Sequence, residues 1–219
     1  MNFDQDLEGL VYDGQELPSR GLIPDGKYFL APGPREKREW KEHWEGQGLH
    51  MMSMPELYKM FKLTVMMLDA NPVHYAATNI RSMANHYIAG EGILTSTEIL
   101  LKSGSMRIYH DLTSQSTPIE LELPKFDTMK FRPEEFNGTK EDYLRALLGT
   151  KDSFKEICKA FEFISGIQSR GTVLFSPTRI MAPAQVFGLR KEQTMRRDKL
   201  LLTPNLDFNY KGHAFGVKR

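Results

Sequence analysis

The chain has 219 residues, 40% of them apolar, and a formal net charge of +1. That is enough apolar material for one large domain with a true core, and too balanced a charge for a protein that coats nucleic acid. A single cysteine, Cys158, excludes an intrachain disulfide and any cysteine-built metal site, and no apolar run approaches the ~20 residues of a membrane span.

The first thirty residues are broken by Asp13-Gly14, Pro18, Gly21, Pro24-Asp25-Gly26 and Pro32-Gly33, with Lys27–Leu30 as a short strand candidate. The opening Met-Asn-Phe-Asp-Gln-Asp has neither a basic nor an apolar region of a signal peptide. The expected location is therefore cytoplasmic by default, surface or virion display requiring a route that these residues do not encode. A charged helix is predicted over 34–45, with Trp40 and Trp44 one turn apart to pin it to a core.

Ser53-Met-Pro-Glu56 reads as a capping box with proline in the first turn. It opens a helix predicted over 54–69 whose Leu57, Phe61, Val65 and Leu68 share one face. Asn71-Pro72 restarts the chain as a helix over 72–88, closed by Gly90 and Gly92. Strands are expected at 92–102, 106–110 and 119–123, the first two joined by a turn at Lys102–Ser105. Helices return at 140–148, capped by Thr139, and at 153–164, where Phe154, Ile157, Cys158 and Phe161 make an apolar stripe. Cys158 on that stripe is expected to be an inert buried thiol.

From Gly171 onward the period changes. Four short apolar runs, separated by proline, glycine and charge, predict an antiparallel meander with connections long enough to form a surface. Fold class is thus α+β, a single domain over 1–219 in which helices pack on an antiparallel sheet and 171–219 is the strand-rich, ligand-binding part.

Catalytic and metal signatures are missing from the pattern. The six histidines never take the spacing of a zinc helix, no nucleophile elbow occurs, and acids are scattered rather than paired. No cofactor or metal is expected, and an enzyme is not. From Arg170 onward, however, ten Lys and Arg stand against three acids, a local field suited to an anionic or acidic partner. The alternative is an intracellular enzyme or a nucleic-acid binder using this basic third, with Phe208 and Tyr210 as stacking rings.

Two fragments carry a resemblance. Gly48-Leu-His-Met-Met-Ser-Met-Pro-Glu-Leu, and the late Phe175-Ser-Pro-Thr, Ala184-Gln-Val-Phe-Gly-Leu and Gly212-His-Ala-Phe-Gly-Val-Lys-Arg219, resemble C-type-lectin-like domains of the formylglycine-generating-enzyme type. That resemblance implies a helix signal early, late strands, termini brought together, and residues 71–170 as an insertion or elaborated layer. The oxidase activity of that group needs a cysteine pair that a chain with Cys158 alone cannot supply. The Glu-Pro-Asn and Trp-Asn-Asp calcium signatures of sugar-binding lectins are absent too. What the resemblance leaves is a display platform, as in the variable proteins of diversity-generating retroelements, whose changeable side chains lie in the late strands. Here the corresponding stretch is 176–210, and Arg179, Met181, Phe187, Arg190, Lys191, Arg196, Arg197 and Tyr210 are the expected contacts to a protein or other macromolecular ligand.

Overall fold

The computed structural model describes residues 34–110, 117–179, 184–194, 197–205 and 210–217. The Lys27–Leu30 strand candidate, Met181, Arg196 and Phe208 lie outside these residues. Five helices and eleven strands occur among those described: β1 (Arg35–Glu36), α1 (Lys37–Glu45), β2 (His50–Met51), α2 (Met54–Ala70), α3 (Tyr75–Ala89), β3 (Ile93–Lys102), β4 (Ser105–Tyr109), β5 (Ile119–Glu122), β6 (Thr128–Lys130), α4 (Gly138–Leu148), α5 (Phe154–Ser165), β7 (Thr172–Phe175), β8 (Ala184–Glu192), β9 (Lys199–Asn205), β10 (Lys211–Gly212) and β11 (Gly216–Val217). The fold is α+β.

Local chemistry sets most helix boundaries. At α2 the Glu56 carboxylate accepts the Ser53 backbone N–H and its hydroxyl, both at 2.7 Å, and at α5 Ser153 and Glu156 repeat the device. Residues 72–74 form a turn rather than helix, and α3 begins at Tyr75, where His74 caps it by accepting the Ala77 N–H on Nδ1. Helix α4 starts at Gly138 with Asn137 in the cap position, two residues before the expected Thr139 cap.

A seven-stranded sheet runs in the order β5-β4-β3-β8-β9-β7-β6. It is mixed, which corrects the antiparallel meander. Strand β9 pairs antiparallel with β8 but parallel with β7, through Thr172↔Leu200 and Leu174↔Leu202. The physical reason is visible in β9: Leu200, Leu201 and Leu202 are exposed by only 0%, 3% and 0%. A continuous apolar run of this kind belongs to a central strand covered on both faces, not to a half-wet meander strand. The final strands leave the main sheet altogether, β10 pairing with β1 and β11 with β2.

Helices α2, α3 and α5 pack on one another and bury Leu57, Phe61, Ile80, Ile157 and Phe161 with Ile99, Phe187, Leu189 and Leu200 of the sheet. Phe161 meets Phe61 edge-on at 6.1 Å. Val65 and Leu68 are buried as expected, whereas Phe154, in the first turn of α5, is only partly buried and stacks on Phe136 at 4.6 Å. Cys158 is 8% exposed and burial pushes its thiol up to about 11, so at neutral pH it stays protonated and unreactive.

A second, smaller cluster closes the molecule. Trp40 and Trp44, both fully buried, stack with ring centroids 5.7 Å apart and pack with Met51, Leu94 and Ala214. The C-terminal segment alternates against them. Ala214 and Gly216 turn toward the indoles, while Phe215 and Val217 enter the main core and His213 stacks on Tyr87 at 4.0 Å. Trp40 Nε1 donates to the Gly212 carbonyl at 2.6 Å. Backbone bonds from Met52 N to Phe215 O, Leu94 N to His213 O and His213 N to Gly92 O complete the seam.

Gly216 is required by contact. A Cβ there would lie 2.7–2.9 Å from three atoms of the Trp44 ring, closer than packed carbon atoms approach. Gly216→Val should therefore destabilise the protein by about 1–3 kcal/mol or more through overpacking. Urea denaturation measures this directly, and an unchanged midpoint would contradict the packing described.

Candidate functional site

The expected contacts divide among three places. Arg179 belongs to a single 3-10 turn, Pro177–Arg179. That turn is held by Gln185 Nε2 donating to the Pro177 carbonyl at 2.8 Å and by a 2.7 Å bond between the Ser176 and Thr178 hydroxyls. It stands at the start of β8, while Lys191 stands at the other end of the same strand, roughly 20 Å away at strand rise. Tyr210 lies elsewhere again, packed on the Trp40–Trp44 cluster with its hydroxyl donating to the Glu91 carbonyl.

Phe187 is not a surface contact. Its side chain is 0% exposed and sits in the main core beside Leu189. The reason is strand alternation: Phe187 and Leu189 point inward, Gly188 and Arg190 to the opposite face. Arg190 is exposed on that opposite face, across from Leu201. Lys191 returns to the inner face, where it pairs across the ladder with Leu200.

There, three basic side chains meet. A cleft of about 250 Å³ lies between the end of α5 and the β8–β9 connection, lined by Ser165, Gly166, Ile167, Gln168, Arg170, Gly171, Lys191, Arg197 and Asp198. Parallel pairing of β7 with β9 creates it, because it sets Gly171, just before β7, against Asp198, just before β9; a Cβ on Gly171 would stand 3.2 Å from the Asp198 carbonyl. Lys191 Nζ pairs with Asp198 Oδ2 at 2.6 Å, and its side chain is 19% exposed. The Arg170 and Arg197 side chains are exposed, and among the described residues neither guanidinium has an ion-pair partner. Thr194 braces the β8–β9 connection, donating from its hydroxyl to the Arg197 carbonyl and accepting the Arg197 N–H at 3.1 Å. Glu162, the nearest acid on α5, is occupied by the Ser169 hydroxyl and N–H.

Sequence reasoning found Lys191 and Arg197 but missed Arg170 and Asp198 as their neighbours. Arg170 was counted in the basic C-terminal third, and only a parallel β7–β9 pair would have joined it to the others.

A second cleft of about 310 Å³ is lined by Pro55, Glu56, Tyr58, Lys59, Lys62 and Asp152 among others. Three of its polar groups, Tyr58, Lys62 and Asp152, bond to one another. Tyr58 donates to Asp152 Oδ2 at 2.8 Å and Lys62 Nζ spans both Asp152 oxygens at 2.8 Å. This is a strut from α2 to the start of α5. Among the described residues no group of three His, Cys, Asp or Glu could hold a metal ion, and no helix is long and apolar enough to cross a membrane.

One partly buried relay runs from α2 through β3 to α4. Met54 N–H donates to Thr97 Oγ1 at 2.9 Å, Thr97 contacts His110 Nδ1 at 3.2 Å, and His110 Nε2 lies 2.8 Å from the Ala146 carbonyl. A carbonyl only accepts, so Nε2 carries a proton, and in the neutral ring Nδ1 accepts from the Thr97 hydroxyl. Burial favours the neutral imidazole at His110, which ties α2, β3 and α4 together.

No known family model matches the chain, no curated protein matches it, and no solved structure matches it.

Burial lowers the pKa of His110 against the opposing pull of the Ala146 carbonyl and Glu56, and burial lowers that of His213 despite Glu91. A histidine depressed in the folded state takes up its proton mainly on unfolding, so stability falls as pH drops through the ordinary value of 6.5. Urea unfolding between pH 7.5 and 5.5 should show this loss, with a shallower slope for His110→Gln. Equal slopes in the two proteins would contradict a neutral, partly buried His110.

Proposed function

We propose that this protein is a binding module, receptor-like and open to sequence variation, which presents the connections of its C-terminal strands to a macromolecular ligand. The observation that carries the reading is the convergence of Arg170, Lys191 and Arg197, from three separate segments, on one open cleft. Exposed arginines held at the ends of rigid strands make good recognition groups, because the scaffold has already taken up most of the ordering cost.

Support also comes from how the late strands are built. Framework and display alternate along the chain: Phe187, Leu189 and Leu200–Leu202 are buried, while Arg190, Glu192, Gln193, Thr194 and Arg197 are exposed. The exposed set can therefore change without altering core volume. The two fragments that resemble the lectin-like group meet as β2 and β11, through Gly216↔Met51 and Val217↔His50.

The ligand-facing surface is narrower than 176–210. It centres on Lys191–Thr194 and Arg197 with Arg170, Arg190 being exposed on the other face of β8, and leaves out Phe187 and Tyr210. Sequencing close relatives tests the reading: substitutions should concentrate at Glu192–Thr194 and Arg197 above constant Phe187, Leu189 and Leu200–Leu202. Constancy of the exposed set equal to that of the buried set would end it.

A further inference from the structure

We propose that the cleft at the end of α5 takes a single carboxylate from an acidic segment of a protein partner, with Arg170 and Arg197 as its direct contacts. The inference rests on the reading of the C-terminal strands as a binding surface and names the chemistry of what they bind.

Charge within the cleft is not uniform, and its arrangement selects the ligand. Lys191 is already engaged by Asp198 at 2.6 Å, with the Asp198 side chain 45% exposed. Ser165 and Gly166 bring the C-terminal end of α5 to the same wall. That end carries the partial negative charge of the helix, and Asp198 adds a full one. Against them stand the Arg170 and Arg197 guanidiniums, exposed and without an ion-pair partner among the described residues. A dianion or a run of phosphates would meet both repulsive walls, whereas one carboxylate placed between the guanidiniums meets planar, bidentate donors.

Size and lining point the same way. At about 250 Å³ the space falls below the roughly 300–1,000 Å³ of small-molecule pockets and suits the ends of side chains on a docked segment. Single-stranded nucleic acid is held by aromatic platforms alternating with cations, and among the described residues no aromatic side chain lines this cleft. Gln168 and Ile167 offer instead an amide and a small apolar surface, the mixed rim of a protein contact.

Fluorescence anisotropy of the whole chain with labelled oligoglutamate and labelled oligothymidylate at low salt tests this. Oligoglutamate should bind, and the double variant Arg170→Ala/Arg197→Ala should weaken it by about tenfold or more, the effect of losing charge-assisted bonds. Arg38→Ala, on the 87% exposed, Glu42-paired side chain of α1, should leave binding unchanged. Asp198→Asn should tighten it several-fold by removing a repulsive wall and releasing Lys191, an effect that adsorption to basic surface elsewhere would not show. Absence of oligoglutamate binding, or binding indifferent to the double variant, would overturn the proposal. Tighter binding of oligothymidylate, lost in the same variant, would overturn it too and assign the cleft to a phosphate backbone. Variation among relatives confined to the exposed set, with oligoglutamate unbound, would remove the acidic segment and leave the binding-module reading standing.

Discussion

The contact of two stacked tryptophans with a nearly featureless strip of backbone is the constraint on which the rest of this structure depends. Trp40 and Trp44 can be fully buried on a nine-residue helix only if something flat lies against them. Gly212, Ala214 and Gly216 provide that flatness, since any larger side chain at Gly216 would enter the Trp44 ring. The same strip sends His213, Phe215 and Val217 the other way, so one extended segment fills two clusters at once. Trp44 Nε1 is left buried without a partner among the described residues, at a cost of about 1–3 kcal/mol; the apolar burial around it offsets that cost.

From this seam the constraint passes to the binding face. Gly92, at φ +91, gives its carbonyl to His213 N–H and presses against β8, where a Cβ would stand 2.5 Å from the Leu189 carbonyl. The position combines a left-handed backbone with a close approach, and only glycine satisfies both. It locks the end of β8, hence the placement of Lys191, to the C-terminal strip. Lys37 adds a second tie from α1, with its ammonium 2.5 Å from Glu98 and 3.2 Å from the Ser96 carbonyl. Burial lowers the Lys37 pKa and the Glu98 charge opposes that shift, so the pair serves to fix register more than to add stability.

Much of the helical layer was legible in the residues because its determinants are local. Ser53 with Glu56 and Ser153 with Glu156 are three positions apart, and the faces of α2 and α5 follow a period that needs no knowledge of partners. The sheet was legible by strand but not by order. Nothing local in Thr172–Phe175 distinguishes a neighbour that runs parallel from one that runs antiparallel, and the triple leucine of β9 was the one available sign of a central strand. The binding region was misjudged where two periods overlap. Arginines and methionines scattered through 176–210 obscured the plain alternation of β8, so Phe187 looked exposed when its register with Leu189 makes it core. Arg170 escaped notice because it lies outside that stretch, and the cleft it completes exists only through long-range pairing. The His110 relay was illegible for the same reason, its partners Thr97 and Ala146 lying 13 and 36 positions away.

If the tryptophan seam holds the molecule together, the C-terminal strip must open only when the whole protein does. Native-state hydrogen exchange reads this amide by amide. The Met52, Leu94 and His213 amides, bonded to Phe215, His213 and Gly92, should exchange with the same free energy of opening as those of Leu200–Leu202 in the central strand. Exchange of the seam amides through a local opening several kcal/mol below the global value, with β9 still protected, would show the strip to be a peripheral attachment and contradict the account.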